Sequence, residues 1–123
     1  MSCSLTTDAV RARTKTVTRR HVDTWRTLKA GDRLILVEKA MGLRKGERQV
    51  VLAEVEVVDV RVESLMDGMK AGGPAEVAAE GFPGMDWLAF CEFWWRSHNV
   101  EPSNEVIDPT DYEVRRIEWR YLP

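Results

Sequence analysis

The feature that most constrains the fold of this chain is a long alternation of apolar and charged residues from Arg48 to Glu63. Successive side chains of a β-strand point to opposite faces of a sheet, so this alternation predicts a long strand with one apolar face. The apolar parity changes between Val57 and Val58. Because a strand keeps a period of two, that change predicts a β-bulge or a sharp bend at this point. Bends of this kind help a small sheet to close into a barrel.

Shorter patterns predict the other elements. A proline at the first helical position and a glycine stop favour a short helix over Pro74–Glu80. The helix predicted over Met85–Ser97 carries an apolar stripe of Leu88, Cys91 and Trp95, with Trp87, Phe90 and Trp94 beside it. The remaining predicted segments are a helix over Leu5–Thr14, an extended stretch over Arg13–Arg20, a helical turn over His21–Leu28, a turn over Lys29–Asp32, a strand over Arg33–Ala40, loops over Met41–Glu47, 64–73 and Val100–Asp111, and a last strand over Tyr112–Leu122.

The order of these elements indicates the fold class. Strands and helices do not alternate as in a βαβ array, and the two main strands are joined by a hairpin loop. The pattern therefore favours an α+β fold, a small antiparallel or mixed β-barrel with short flanking helices, over a doubly wound sheet. In such a barrel we expect the last strand to pair with an early one. The 123 residues correspond to one domain, spanning 1–123.

Composition excludes several classes of protein. With 44% apolar and 31% charged residues the chain is predicted to be globular rather than disordered. It contains no apolar run of about 18 residues, so we expect no membrane span. The segment Met1–Val10 lacks the pattern of a secretory signal, and Cys3 and Cys91 are too few for a disulfide framework. We therefore expect a cytoplasmic protein with inert cysteines, Cys91 being buried.

The net charge of −2 conceals an uneven distribution. Residues 1–46 hold 11 basic and 4 acidic side chains, a balance of +7, whereas residues 47–123 hold 7 basic and 16 acidic ones, a balance of −9. Such asymmetry is a hint of contact with nucleic acid or another polyanion. The segment from Arg11 to Arg20 alone has five positive charges and no acid. It is either a solvated basic face or an edge that contacts phosphates.

Within this basic segment, Lys15 and Thr18 suggest chemistry. On a regular strand, residues three apart point to opposite faces, but in a turn or a distorted strand they converge. Positive charge from Arg13, Arg19 and Arg20, or burial, would lower the pKa of the lysine. A neutral Lys15 would then accept the hydroxyl proton of Thr18, whose oxygen would attack a carbonyl carbon.

Other candidate residues have equally plausible structural roles. Glu80 is a carboxylate at the C-terminal end of a predicted helix, a position that the helix dipole disfavours, which hints at a functional role. The structural alternative is an ordinary exposed acid at a helix end. Trp25 is a candidate for stacking on a base, and it is otherwise a core residue. Trp87, Trp94 and Trp95 also offer stacking surfaces, but aromatic residues at helical spacing are more often part of the core. Glu38 interrupts an apolar strand, and Arg44 and Lys45 lie at a hairpin tip that is either solvated or in contact with phosphate. His21 and His98 are far apart and no cysteine has a ligand-spaced companion, so no metal site is expected.

Taken together, these motifs resemble the ASCH domain of the PUA-like superfamily, in particular the small stand-alone ASCH proteins of bacteria and their phages. The resemblance rests on Arg13–Arg20 (sequence RTKTVTRR), on Lys29–Asp32 opening a strand, on Glu80–Pro83 and on the closing strand Val114–Tyr121. It extends over nearly the whole chain. The chain departs from the compact bacterial enzymes in its longer loop at Met41–Glu47 and in the tryptophan-rich helix and tail over Met85–Asp111.

The resemblance implies a PUA-like β-barrel and a cleft for nucleosides or nucleic acid, in a bacterial cell or a phage-infected host. Some bacterial relatives are amidohydrolases that remove the acetyl group from N4-acetylcytidine without a cofactor, using a threonine nucleophile, a lysine and a glutamate. By motif position these are Thr18, Lys15 and Glu80. Other ASCH proteins are thought to bind RNA, and some are reported to cut it, so fold does not settle activity.

Two functions follow as hypotheses. The first is an amidohydrolase acting on an N4-acylated cytosine nucleoside or a related modified base, with Thr18 as nucleophile, Lys15 as base, Glu80 as proton donor or water-positioning group, and Arg19 or backbone N–H groups at the oxyanion. The second is a non-catalytic module that binds RNA or DNA. A ribonuclease is a variant of this hypothesis, but it would need an acid–base pair at a phosphate, and neither histidine lies in the motif. Expected ligand-binding residues in either case are Arg13, Arg19, Arg20, Trp25, Glu38, Arg44 and Lys45.

Overall fold

The computed structural model describes residues 1–39, 43–70, 72–98 and 112–123. The predicted loop over Val100–Asp111 lies outside the described residues, as does part of the predicted loop over Met41–Glu47. The elements are, in chain order, α1 (Thr7–Arg11), β1 (Val17–His21), β2 (Arg33–Val37), β3 (Val51–Ser64), α2 (Leu65–Lys70), α3 (Pro74–Ala79), α4 (Trp87–Ser97) and β4 (Glu113–Tyr121).

The four strands form one antiparallel sheet in the order β1-β4-β3-β2. The last strand therefore pairs with the first one, as the sequence predicted, and the α+β class with short helices is confirmed. The sheet is a curled half-barrel with β1 and β2 at its two edges. Closure into a PUA-like barrel stays a prediction.

The predicted bulge lies where the apolar parity changes. Val57 is paired with Trp119 and Asp59 with Glu118, which leaves Val58 as the extra residue of β3. Val57 is only 1% exposed and Val58 is 40% exposed. The extra residue keeps the valines on both sides of the bulge on one face of the sheet, because it absorbs the change of parity.

Each face of the sheet carries its own apolar cluster, since residues an odd number apart on a strand point to opposite faces. On β4, Ile117 and Trp119 belong to one cluster and Val114 to the other. The first cluster is completed by Cys3, Val10, Leu34, Leu36, Val55 and Val57. The second joins Val114 to residues of α2, α3 and α4, namely Leu65, Val77, Trp87, Phe90, Cys91 and Trp94. Helices α2, α3 and α4 thus cover the face of the sheet that carries Val114, whereas Thr18, which is paired with Ile117, lies on the other face.

The prediction of a loop over 64–73 is wrong for its first part, where α2 forms. Leu65 at its start is fully buried, and Gly68 lies inside the helix. A Cβ atom at Gly68 would lie 2.1 Å from Cη2 of Trp87. The glycine is therefore explained by the close approach of an aromatic ring rather than by a turn, and such a tertiary cause leaves no local sequence signal.

The helix predicted over Met85–Ser97 is confirmed as α4, but its buried stripe is rotated from the predicted one. Asp86 is the N-cap and its side chain accepts the Ala89 N–H at 2.8 Å. Cys91 is buried as expected, whereas Leu88 is 65% exposed. The buried stripe consists of Trp87, Phe90, Cys91 and Trp94.

Two smaller predictions are corrected. The first helix is shorter than Leu5–Thr14, because residues after Arg11 turn into the extended entry of β1. Where a helical turn is predicted over His21–Leu28, β1 ends at His21 and residues 22–27 form successive turns and bends, in which Trp25 has φ of 55°. No helix of the described ranges is long and apolar enough to cross a membrane.

Candidate active site

A cavity of about 180 Å³ brings the sequence-predicted residues together. It lies between the N-terminal segment, β1, the end of α3 and α4. Lys15, Thr18 and Glu80 all line it, together with Arg19 and Arg20. Its other lining residues are Ser2, Cys3, Ser4, Leu5, Thr6, Phe82, Phe90, Phe93, Trp94, Ser97 and His98.

The backbone of Lys15 is held firmly just before β1. Its carbonyl oxygen accepts hydrogen bonds from Nε1 of Trp119 at 3.1 Å and from the hydroxyl of Tyr121 at 2.5 Å. Its amide N–H donates to the carbonyl of Ala9 at 3.2 Å. Because Lys15 precedes the strand, the rule that places strand residues three apart on opposite faces does not apply to it and Thr18.

The side chain of Lys15 is buried, with 3% of the residue exposed. Its Nζ donates to the carbonyl oxygens of Val17 at 2.9 Å and Glu80 at 2.6 Å, and lies 3.4 Å from Oε2 of Glu80. Burial lowers the pKa of Lys15, Arg20 adds to that shift, and Glu80 opposes it. Desolvation is thus the main cause, ahead of the neighbouring positive charge that the sequence emphasised.

Thr18 is buried on β1, opposite Ile117 of β4, and is 4% exposed. Its Oγ1 accepts a hydrogen bond from Nε of Arg20 at 3.2 Å, and Nη2 of the same arginine donates to the Ser2 carbonyl at 2.7 Å. Among the described residues, no hydrogen bond joins Thr18 Oγ1 to Lys15 Nζ. The threonine therefore has a cationic neighbour in contact and the lysine in the same cavity.

Glu80 is the C-cap residue of α3 and is 3% exposed, which rules out the exposed helix-end reading. Gly81 follows it with φ of 104°, and turns the chain away from the helix. The carboxylate of Glu80 accepts from Nη1 of Arg19 at 2.9 Å and faces Lys15 on its other oxygen. Two cations thus hold this carboxylate at the cavity wall.

Arg19 is 1% exposed and connects Glu80 to two carboxylates that the sequence analysis missed. Its Nε and Nη2 donate to Oε1 of Glu63 at 3.1 and 2.9 Å, and Nη2 donates to Oε1 of Glu76 at 2.6 Å. Arg116 donates to the same oxygen of Glu76 at 2.5 Å. Glu76 stands four residues before Glu80 on one helix face, which is the one sequence signal that would have indicated it.

The buried charges of this network balance. Within the described ranges, the buried cations are Lys15, Arg19 and Arg116, and the buried carboxylates are Glu63, Glu76 and Glu80. Burial alone would lower the pKa of Arg19, but the carboxylates around it outweigh burial and raise it. Burial alone would raise the pKa of Glu76, but hydrogen bonds from Arg116 and Arg19 outweigh it and lower that pKa. All three carboxylates are thereby held next to positive charge.

Five of the predicted binding residues lie outside the cavity lining. Arg13 is exposed, with its guanidinium 5.7 Å from the ring centre of Tyr121. Glu38 is exposed and lies 3.9 Å from Arg11. Trp25 is 36% exposed. Arg44 and Lys45 are exposed in the turn between β2 and β3, Arg44 being 3.9 Å from Glu47.

Comparisons with known proteins show the fold and leave the function open. No protein-family model matches the chain, and no curated protein matches its sequence. The crystal structure of protein EF3133 from Enterococcus faecalis V583, described as DUF984, is similar with a TM-score of 0.59 and 15% sequence identity. The similarity covers 97% of this chain and 71% of that one. In the described part of the chain no group of three or more His, Cys, Asp or Glu residues is arranged to hold a metal ion.

Proposed function

We propose that the protein is an amidohydrolase that removes the acyl group from an N4-acylated cytosine nucleoside such as N4-acetylcytidine. The observation that carries this proposal is that Lys15, Thr18 and Glu80 line one cavity, with the buried Lys15 Nζ 3.4 Å from the Glu80 carboxylate and a buried threonine beside them. The residue set is the one that the ASCH resemblance implies. The cavity of about 180 Å³ is lined by both charged and aromatic side chains, which is the usual make-up of a small-molecule site.

In the first step, Thr18 Oγ1 attacks the acyl carbonyl carbon while its proton passes to neutral Lys15. Burial of Lys15 favours that neutral form, because desolvation lowers its pKa. Neutral Lys15 has two N–H bonds for the carbonyls of Val17 and Glu80 and one lone pair for the proton. Substrate binding brings the two side chains into hydrogen-bond contact, since catalytic hydrogen bonds tighten in the complex.

Arg20 is better placed than Arg19 to stabilise negative charge on the Thr18 oxygen as it loses its proton. Nε of Arg20 lies 3.2 Å from Thr18 Oγ1, so its positive charge is next to the oxygen that loses a proton. Arg19 instead donates to Glu63, Glu76 and Glu80. We therefore replace the sequence-based expectation of Arg19 at the oxyanion by a role in which it positions Glu80.

Collapse of the tetrahedral intermediate breaks the bond between the acyl carbon and the exocyclic nitrogen. That nitrogen takes a proton from Lys15, through Glu80 as relay, and leaves as the amino group of cytidine. A water molecule, oriented by the Glu80 carboxylate, then attacks the acyl ester on Thr18. This second step releases the carboxylic acid and restores the threonine hydroxyl.

Turnover of N4-acetylcytidine tests the proposal. Wild type is expected to release cytidine and acetate, and chromatography measures the cytidine. The kcat of Thr18→Ala is expected to fall by about 10³-fold or more, because this variant lacks the nucleophile. Thr16→Ala is the matched control, since Thr16 stands in the same motif but does not line the cavity. A wild type that releases no cytidine, or a Thr18→Ala variant as fast as Thr16→Ala, contradicts the proposal.

A further inference from the structure

One part of the cavity lining is aromatic and is not used by the acyl-transfer chemistry. The charged lining residues lie just before β1, on β1 and at the end of α3, whereas Phe90, Phe93, Trp94 and His98 come from α4 and its C-terminal cap. Phe82, in the turn after α3, joins them. We call these five residues the aromatic wall.

The inner part of the aromatic wall is fixed by the core. Phe90 and Trp94 are 1% and 2% exposed and belong to the second apolar cluster. Nε1 of Trp94 donates to the carbonyl of Arg19 at 2.9 Å, which ties α4 to β1 between Thr18 and Arg20. The aromatic wall therefore has a set position relative to the candidate nucleophile.

The outer part of the wall is only partly buried. Phe82 and Phe93 are half-buried, and their ring centres lie 4.9 Å apart. The half-buried imidazole of His98 stacks on Trp94, with ring centres 4.0 Å apart and an angle of 12° between the planes. Aromatic surface left at a cavity next to paired charges is typical of a ligand site, in which apolar walls hold a ligand and a few polar groups orient it.

The imidazole of His98 is held in place through its Nδ1 atom. This atom lies 2.9 Å from the carbonyl oxygen of Trp94 and 3.1 Å from the hydroxyl oxygen of Ser97. Burial lowers the pKa of His98, which favours the neutral ring. A neutral imidazole presents an uncharged flat face. His98 therefore adds a flat surface to the wall.

We infer that the aromatic wall binds the planar pyrimidine ring of the nucleoside and so places its N4-acyl group at Thr18. The inference rests on the proposed function for the identity of the ligand, and it assigns to Phe82, Phe93 and His98 a part in recognition that the sequence did not indicate. Stacking on an aromatic side chain needs only a flat π-face. Cytidine, the product, is therefore expected to bind the wall as well as the substrate does.

Binding of unreacted nucleoside tests the wall separately from catalysis. The measurement is calorimetric titration of cytidine into wild type and of N4-acetylcytidine into the Thr18→Ala protein. Phe93→Ala is expected to weaken both affinities about 5-fold or more, because a stacking partner is lost, and Phe93→Tyr is expected to restore them. Trp95→Ala is the control: Trp95 is a half-buried aromatic residue of α4 that does not line the cavity, and it should change binding less than twofold.

The outcomes separate the two proposals. If wild type binds cytidine and Phe93→Ala does not, the inference that the aromatic wall binds the pyrimidine ring is supported even when no acyl group is removed. If the nucleoside is hydrolysed but Phe93→Ala leaves KM and the cytidine affinity unchanged, the wall is wrong and the amidohydrolase stands. Equal losses in Phe93→Ala and Trp95→Ala also overturn the wall. If wild type binds neither nucleoside, both proposals fail.

Discussion

At the scale of single residues, Arg19 shows how an unremarkable member of a basic run becomes the centre of the site. Its guanidinium contacts Glu63, Glu76 and Glu80 and also lies 5.1 Å from the ring centre of Trp87. A buried charge is tolerated only when partners replace the lost water. The three glutamates supply that replacement, and one of them is thereby positioned against Lys15.

The acid dependence of stability follows from Glu76. Hydrogen bonds from Arg116 and Arg19 outweigh burial and lower its folded-state pKa below the ordinary value for a glutamate. A carboxyl group of this kind stabilises the fold above its unfolded-state pKa, and the contribution is lost as pH falls through the folded-state pKa. Between neutral pH and about pH 3, the free energy of unfolding is therefore expected to fall less for Glu76→Gln than for wild type.

Chemical denaturation at the two pH values measures this difference. At neutral pH, Glu76→Gln is expected to be less stable by about 3 kcal/mol, because Arg19 and Arg116 lose a shared buried partner. Glu92→Gln, at an exposed position of α4, should match wild type at both pH values. A Glu76→Gln protein that loses as much stability in acid as wild type contradicts the assignment.

At the scale of elements, local patterns predict β3 and α3 well. The alternation predicts the strand, and its change of parity predicts the bulge at Val58. Pro74 and Gly81 predict the two ends of α3. These signals succeed because they act within a few residues. The element that was missed, α2, contains a glycine, Gly68, that makes room for Trp87, which lies 19 positions later in the chain. The rotation of the α4 stripe also has a tertiary cause, since Nε1 of Trp94 donates a hydrogen bond to the carbonyl oxygen of the distant Arg19.

A substitution at Gly68 tests this tertiary explanation. In an ordinary helix, Gly→Ala is stabilising by roughly 1 kcal/mol. Here the added methyl group would collide with the ring of Trp87, so Gly68→Ala is expected to destabilise by about 1–3 kcal/mol. The double variant Gly68→Ala/Trp87→Leu should show a smaller penalty relative to Trp87→Leu alone, measured by thermal or urea unfolding. A stabilised Gly68→Ala protein would mean that Trp87 does not occupy that space.

At the scale of the whole molecule, the uneven charge distribution along the chain is explained in part by ion pairs inside the candidate site. Of the five cations between Arg11 and Arg20, Lys15 and Arg19 are buried and Arg20 is half-buried. The carboxylates that face Lys15 and Arg19 come from the acidic remainder of the chain. The basic run is therefore largely internal to one site, which leaves less exposed charge for an RNA-binding face than the sequence suggested.

The candidate site could be predicted from the sequence only as a set of residue types. Lys15, Thr18 and Glu80 were identified by their motif, and they do line one cavity. Glu63, Arg116 and the aromatic wall were missed, because their roles arise from the packing of distant strands and helices. The expected contacts of Arg13, Trp25, Glu38, Arg44 and Lys45 with a ligand remain predictions, since these residues lie away from the cavity lining.

The most direct test of the central claim is to locate the acyl group on the protein during turnover. Rapid acid quenching with N4-acetylcytidine, followed by peptide mass spectrometry, is expected to find an acetyl ester on Thr18 in wild type and in Thr16→Ala, and none in Thr18→Ala. An acetyl group found on Lys15 or elsewhere instead, or cytidine release by Thr18→Ala at the wild-type rate, would contradict a threonine nucleophile in this cavity.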